Sequence, residues 1–245
     1  MDGARCAERV NMHQLSRTIV RCAVALPAFL AVVAVVRGSP GEQWQIALDR
    51  TTGLVLHGVQ ASVVTHNGHR AIRLVEEKGL NGEGYAIVPG PALQDGTVEV
   101  DVAGRPGQGA NEAARGFVGV AFRVRSDHSA FECFYLRPTN GRADDQLRRN
   151  HSTQYTSYPG FPWERLRKEA PGVYESYVDL VPSEWTHVRV EFRDRRAALY
   201  VHRAPQPVLI VNDLKQAPAP GGVALWIGTG TEGFFRDLHV TTSGS

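Results

Sequence analysis

Residues 117–125 read FVGVAFRVR, and the order of apolar and polar side chains in this stretch decides the fold. Val118, Val120, Phe122 and Val124 fall on one face of an extended chain; Phe117, Gly119, Ala121, Arg123 and Arg125 fall on the other. A period of two marks a β-strand, because successive side chains leave opposite sides of the pleat. Residues 186–193, THVRVEFR, repeat the pattern, with Val188, Val190 and Phe192 opposite His187, Arg189, Glu191 and Arg193. One clean apolar face predicts antiparallel strands that pack on one side only.

Similar segments occupy 44–48, 61–66, 71–75, 85–88, 97–103, 130–137, 174–180, 197–202, 208–211, 223–227 and 234–241. Turn signals stand between them: Asn67-Gly68, Asn81-Gly82, Asp95-Gly96, Pro106-Gly107 and Pro220-Gly221-Gly222. The 25 Gly and 14 Pro of the 245 residues are scattered without a period, which excludes collagen and solenoids and fits a chain of many turns. A hydrophobic share of 42 % supports a packed core. About a dozen such strands predict an all-β fold, two antiparallel sheets stacked as a jelly-roll sandwich.

Of 27 basic and 25 acidic residues, five and two lie in the first 38, which leaves 22 against 23. The near-neutral remainder argues against nucleic acid or an anionic membrane as partner. Arg17 and Arg21 precede the apolar run 22–36, CAVALPAFLAVVAVV, and Arg37-Gly38-Ser39-Pro40 follows it. This is the layout of a secretory signal, too short for a comfortable bilayer span and interrupted by Pro27. Residues 1–38 are therefore expected to be an export signal, with an uncleaved N-terminal anchor as the other reading. Residues 39–245 are expected to form one sandwich, exported to the periplasm or beyond. Cys6 and Cys22 fall in the removable segment, so Cys133 is the sole cysteine of the mature chain and reads as a small buried hydrophobe.

One segment breaks the rhythm. Residues 138–171, PTNGRADDQLRRNHSTQYTSYPGFPWERLRKEAP, are too polar for core strands and too long for a hairpin. Long ordered loops in compact domains commonly carry function. Arginines and carboxylates are interleaved here with Tyr155, Tyr158, Phe161 and Trp163. Planar polar groups grip vicinal hydroxyls and aromatic faces cover sugar C–H surfaces. The other reading is a lid whose Arg–Asp pairs pin the loop to the sandwich.

The stretches at 134–159, 162–163, 174–192, 209–214, 224–228 and 234–240 resemble a bacterial family of exported concanavalin A-like proteins, the 3-keto-disaccharide hydrolase-type domains and their laminin-G-like relatives. The likeness covers 116–240 well and 44–103 loosely, and is most specific at Arg137-Pro138-Thr139-Asn140-Gly141-Arg142 and Gln146-Leu147-Arg148-Arg149-Asn150-His151. It implies two curved sheets with carbohydrate on the concave face.

The candidate ligand-binding residues are Tyr135, Arg137, Asn140, Arg142, Asp145, Gln146, Arg148, Asn150, His151, Tyr155, Tyr158, Trp163, Glu175 and Tyr177. The expected partner is an oligosaccharide or glycoconjugate, with oligomeric state open. Two rival functions stay open: a glycoside hydrolase with Asp145 and Glu175 as acid and base, and a laminin-G-like protein-interaction module. Retaining glucanases of this fold need E-x-D-x-x-E on one strand; Glu99-Val-Asp101-Val-Ala-Gly104 lacks the last Glu, so Glu99 and Asp101 read as a solvated strand face. Glu132, set among apolar residues, reads as a salt-bridged structural residue, with a paired or partly buried carboxylate of raised pKa as the other reading. No H-E-x-x-H, G-x-S-x-G or P-loop occurs, and Gly228-Thr229-Gly230 reads as a turn. No cofactor is expected; a structural calcium stays open without an Asp-rich string to support it.

Overall fold

Alternating segments pair into ladders, and the ladders here close into two layers. The computed structural model describes residues 41–77 and 84–243. In chain order the strands are β1 (Gln43–Ile46), β2 (Val55–His57), β3 (Val59–His66), β4 (His69–Glu76), β5 (Gly84–Ile87), β6 (Gly96–Pro106), β7 (Val118–Val124) and β8 (Phe131–Leu136). There follow β9 (Thr153–Tyr158), β10 (Glu175–Ser176), β11 (Thr186–Arg193), β12 (Arg196–Val201), β13 (Leu209–Val211), β14 (Gly222–Ile227) and β15 (Thr231–Thr242). Two short helices, α1 (Gln146–Asn150) and α2 (Trp163–Glu169), lie on either side of β9.

The first sheet runs β13-β12-β11-β6-β15-β4-β3, with β1 also on β15; the second runs β10-β9-β8-β7-β14-β5-β2. Every named pairing is antiparallel, as the one-sided patterns require. Val98, Val100, Val102, Val188, Val190 and Phe192 of the first sheet meet Val118, Val120, Phe122, Phe134 and Leu225 of the second in one core. The expected export signal, 1–38, and the Asn81-Gly82 turn lie outside the described residues.

Two features depart from the alternation. β11 alternates buried and half-buried residues as expected, whereas β7 is buried on both faces. The outer face of the second sheet carries its own cluster, with Tyr85, Ala121, Phe131, Cys133, Tyr135, Ala224 and Trp226. Large rings there require small neighbours: a Cβ on Gly119 would stand 2.1 Å from Phe134 O and 2.6 Å from Tyr135 Cα. Cys133 is fully buried in that cluster.

The second departure is 138–171, which is not a loop. Its middle, Thr153–Tyr158, is a core strand paired along β8 from Phe131↔Tyr158 to Leu136↔Thr153. Its polar side chains are paired rather than solvated. Gln154 Nε2 donates to the carbonyls of Tyr155 and Tyr174, both at 3.0 Å, and Thr153 Oγ1 meets Ser176 Oγ at 2.8 Å. Conversely, of 174–180 only Glu175–Ser176 is strand. Beyond it the chain is held by a side chain: Val178 N donates to Ser152 Oγ at 2.7 Å, which replaces a ladder bond.

The segments flanking β9 are fixed from below. Pro138 opens a 3-10 turn, Pro138–Asn140, with its preset φ. Gly141 follows because the chain crosses Leu180 too closely for a side chain: a Cβ would lie 2.3 Å from Leu180 N. Gly141→Ala is expected to lower stability by about 1–3 kcal/mol through overpacking, measured as a drop in the urea midpoint at unchanged slope. Asp145 caps α1, accepting from Arg148 N at 2.8 Å. α2 is anchored through buried Leu166, with Glu164 in its first turn and Arg167 and Lys168 in its last, each complementing the helix dipole.

Candidate functional site

The 3-10 turn, α1, α2 and the segment before β7 surround a cleft of about 540 Å³, within the roughly 300–1,000 Å³ usual for small-molecule sites. Its apolar walls are Ala113, Ala114, Phe117, Leu147 and Trp163; its polar walls include Arg115, Arg137, Asn140, Asp145, Arg148, His151 and Arg167. Trp163 and Arg167 reach it together because residues four apart share a helix face.

Arg137 is the hub. It is buried and donates through Nη1 to His151 O and Gln154 Oε1, both at 3.1 Å, and through Nη2 to Tyr135 OH at 2.9 Å. Its guanidinium carbon lies 5.5 Å from the Trp163 ring centre and 5.9 Å from that of Phe117. Asn140 Nδ2 donates to His151 O at 3.1 Å, and its Oδ1 accepts from Arg148 Nε at 3.0 Å. Arg148 Nη2 reaches Thr139 Oγ1 at 3.3 Å. Arg115 donates through Nη1 to the carbonyls of Glu112 and Ala114. Burial, and then the fields of Arg148 and Arg137, hold the Arg115 guanidinium below its ordinary pKa.

Beneath the cleft His151, Glu175 and Arg167 form a triad. Glu175, with a side chain 3 % exposed, accepts from Arg167 Nε and Nη2 at 2.7–3.1 Å, and His151 Nδ1 stands 2.8 Å from its Oε2. Burial holds His151 below the ordinary histidine range; Glu175 opposes this, and Arg167 and Arg137 reinforce it. The triad fixes the imidazole and the end of α2 relative to each other.

The structure thus brings Arg137, Asn140, Asp145, Arg148, His151 and Trp163 to one cleft. Tyr135 and Glu175 support it from behind. The remaining candidates are elsewhere. Arg142 pairs with Asp179 in the open, two bonds of 2.8 Å. Gln146 bonds Asn150 Oδ1 at 2.8 Å on the exposed side of α1. Exposed Tyr177 accepts from Arg149 Nη2 at 3.1 Å, and Tyr158 stacks on Phe131 with centres 5.5 Å apart. Tyr155 is a correction: it is 0 % exposed and faces the core, because β9 is a strand and odd positions point inward.

Glu175 is corrected as a catalytic acid or base: both its oxygens are committed to Arg167, while Asp145 serves as a helix cap. Glu132 is fully buried, but among the described residues it has hydrogen-bond partners, not an ion pair. Tyr155 OH donates to it at 2.6 Å and Gln216 N at 2.9 Å, and burial pushes its carboxyl up. Asp101 is not a solvated residue. It is buried on the first sheet beside His187 Nδ1, 3.0 Å, and Arg236 Nη2, 2.9 Å, which hold its carboxyl low against burial. Among the described residues no group of three or more His, Cys, Asp or Glu side chains is placed to hold a metal ion.

Sequence reading missed Arg115, Phe117, Leu147 and Thr229, which complete the cleft. Arg115 belongs to the connection before β7, Phe117 stands at the edge of the alternating stretch just ahead of Val118, and Thr229 lies in the Gly228-Thr229-Gly230 turn that joins β14 to β15. Nothing in their spacing ties them to 137–167; the β7–β8 pairing and the bond from Thr139 N to Arg115 O, 3.3 Å, bring Arg115 and Phe117 there.

No protein-family model and no curated protein matches the sequence. Solved structures do. A galectin-like protein of unknown function from Bacillus subtilis superposes with TM-score 0.56 at 8 % identity, over 85 % of this chain and 98 % of its own. The carbohydrate-binding module CBM66 from Bacillus subtilis gives 0.51 at 13 %, over 79 % and 96 %. The exoplasmic/lumenal domain of VIP36 in its Ca²⁺/Man3GlcNAc-bound form gives 0.50 at 11 %, over 82 % and 89 %. These likenesses establish the fold alone, a galectin-like sandwich of two antiparallel sheets.

Proposed function

We propose that this chain is an exported carbohydrate-binding domain whose saccharide sits in the cleft between α1, α2 and the end of the second sheet. The observation that carries the reading is the composition of that cleft: a Trp ring 37 % exposed beside Phe117 and Leu147, ringed by planar polar groups already fixed by their own hydrogen bonds. Fixed Arg and Asn groups lose little entropy on meeting a ligand, and an aromatic wall supplies the apolar half of a sugar contact. Two proteins of the same fold, the CBM66 module and sugar-bound VIP36, support the choice of ligand class. The apolar run 22–36 after Arg17 and Arg21 supports export.

A glycan array probed with wild type and three variants tests the assignment. Trp163→Ala and Arg148→Ala are each expected to weaken the strongest signal by roughly 10–100-fold, the loss of about 1.4–2.8 kcal/mol. Arg142→Ala, which removes only the exposed pair with Asp179, is expected to leave binding unchanged. Equal losses in all three, or none in the first two, would place the sugar elsewhere.

A further inference from the structure

The cleft carries positive charge that the protein does not neutralise. Several arginines are matched with carboxylates: Arg73 and Arg105 with Glu232, Arg123 with Asp95, Arg142 with Asp179, Arg236 with Asp101 and, on the wall of the cleft itself, Arg167 with Glu175. Arg115, Arg137 and Arg148 differ. Among the described residues their guanidinium groups donate to neutral oxygens: the carbonyls of Glu112, Ala114 and His151, the amide oxygens of Gln154 and Asn140, and the hydroxyls of Tyr135 and Thr139.

Among the described residues, none of the three guanidinium groups has a carboxylate oxygen within 4.0 Å. Each guanidinium has five N–H donors, and Arg115 Nε and Nη2 and Arg148 Nη1 have no protein acceptor among the described residues. Asp145 also lines the cleft, but its Oδ1 is turned to the backbone of α1, accepting from Arg148 N at 2.8 Å.

Like charges gathered in a half-enclosed, partly apolar site repel one another unless a counter-charge joins them. The repulsion has a sign in the structure: Arg148 and Arg137 add to burial in lowering the affinity of Arg115 for its proton. The one acidic residue that lines the cleft, Asp145, caps α1, so among the described residues no carboxylate pairs with the guanidinium groups of this cluster. The missing partner is therefore sought in the ligand.

We infer that the cleft takes an acidic saccharide, whose oxyanion, a uronate carboxylate or a sulfate ester, is held among Arg115, Arg137 and Arg148. The inference rests on the saccharide reading above and narrows it. The guanidinium fork suits two-oxygen anions, and charge-assisted bonds of this kind are about twice as strong as neutral ones.

The test uses matched pairs by titration calorimetry: oligogalacturonate against its fully methyl-esterified form, and a sulfated galactan oligosaccharide against the same oligosaccharide desulfated. The acidic member of at least one pair is expected to bind about tenfold or more tighter than its neutral partner. That advantage is expected to shrink as salt rises from low to physiological ionic strength. Whichever pair discriminates identifies the anion. Arg115→Gln and Arg148→Gln are expected to erase the discrimination, and Arg142→Gln to keep it. Neutral partners binding as well as the acidic ones, or array signals confined to neutral glycans, would overturn the acidic preference and leave the saccharide reading standing. An array empty of any signal would overturn both.

Discussion

Tyr155→Ala is expected to destabilise the domain by at least about 4 kcal/mol, enough to unfold much of it, since domains are stable by roughly 5–15 kcal/mol. The ring is fully buried in β9 and packs against Phe134 and Tyr174, with centres 5.5 and 5.7 Å away. Its hydroxyl donates to Glu132 Oε2 at 2.6 Å and accepts from Lys215 N at 2.9 Å. Truncation opens a cavity and strands both partners.

Tyr155→Phe isolates the second effect. Burial raises the Glu132 carboxyl, and the bonds from Tyr155 and Gln216 oppose the rise. A carboxyl raised in the folded state contributes stability that is complete below its unfolded value and lost as pH climbs through the folded one. Removing the hydroxyl pushes Glu132 higher still, so the variant's deficit in urea denaturation is expected to be larger at pH 8 than at pH 5. An equal deficit at both would show that Glu132 does not feel the hydroxyl.

Arg167→Ala is the second large effect, expected at about 3 kcal/mol or more, because it leaves the buried Glu175 carboxylate facing His151 alone. In wild type, burial and the fields of Arg167 and Arg137 keep His151 low while Glu175 resists. A histidine depressed on folding contributes stability that is present above its unfolded value, about 6.5, and lost as pH falls through the folded one, because the unfolded chain takes the proton first. Without Arg167 the imidazolium becomes the remaining partner of Glu175. The His151 ring is then expected to titrate at higher pH by NMR, with a smaller acid-side loss of stability. A midpoint unchanged or lower would contradict the triad.

The residues that gave the fold away are those whose burial follows a simple period. Val118, Val120 and Phe122, and Val188, Val190 and Phe192, lie in the core because one face of an antiparallel strand must. Thr153–Tyr158 hid from that rule because its polar side chains are paired inside the protein; its run of Thr and Tyr, both strand formers, was the available signal. The cleft was half legible. Arg137, Asn140, Arg148 and Trp163 are dense in sequence, whereas Arg115 and Phe117 arrive from just ahead of β7. Composition cannot separate Arg142, spent on Asp179, from Arg148, held open by neutral partners. Nor can alternation show that Asp101 is bracketed by His187 and Arg236 across two strand pairings.

The central claim is that the ligand of this sandwich is a saccharide seated between α1, α2 and the end of the second sheet. A crystal structure with the strongest binder from the array tests it most directly. The expected result is a sugar ring against Trp163 with polar substituents on Arg115 and Arg148. A sugar seated on the first sheet near Asp101, Trp185 and Arg236, or beside His57 and His128 at the far edge of the second, would contradict it.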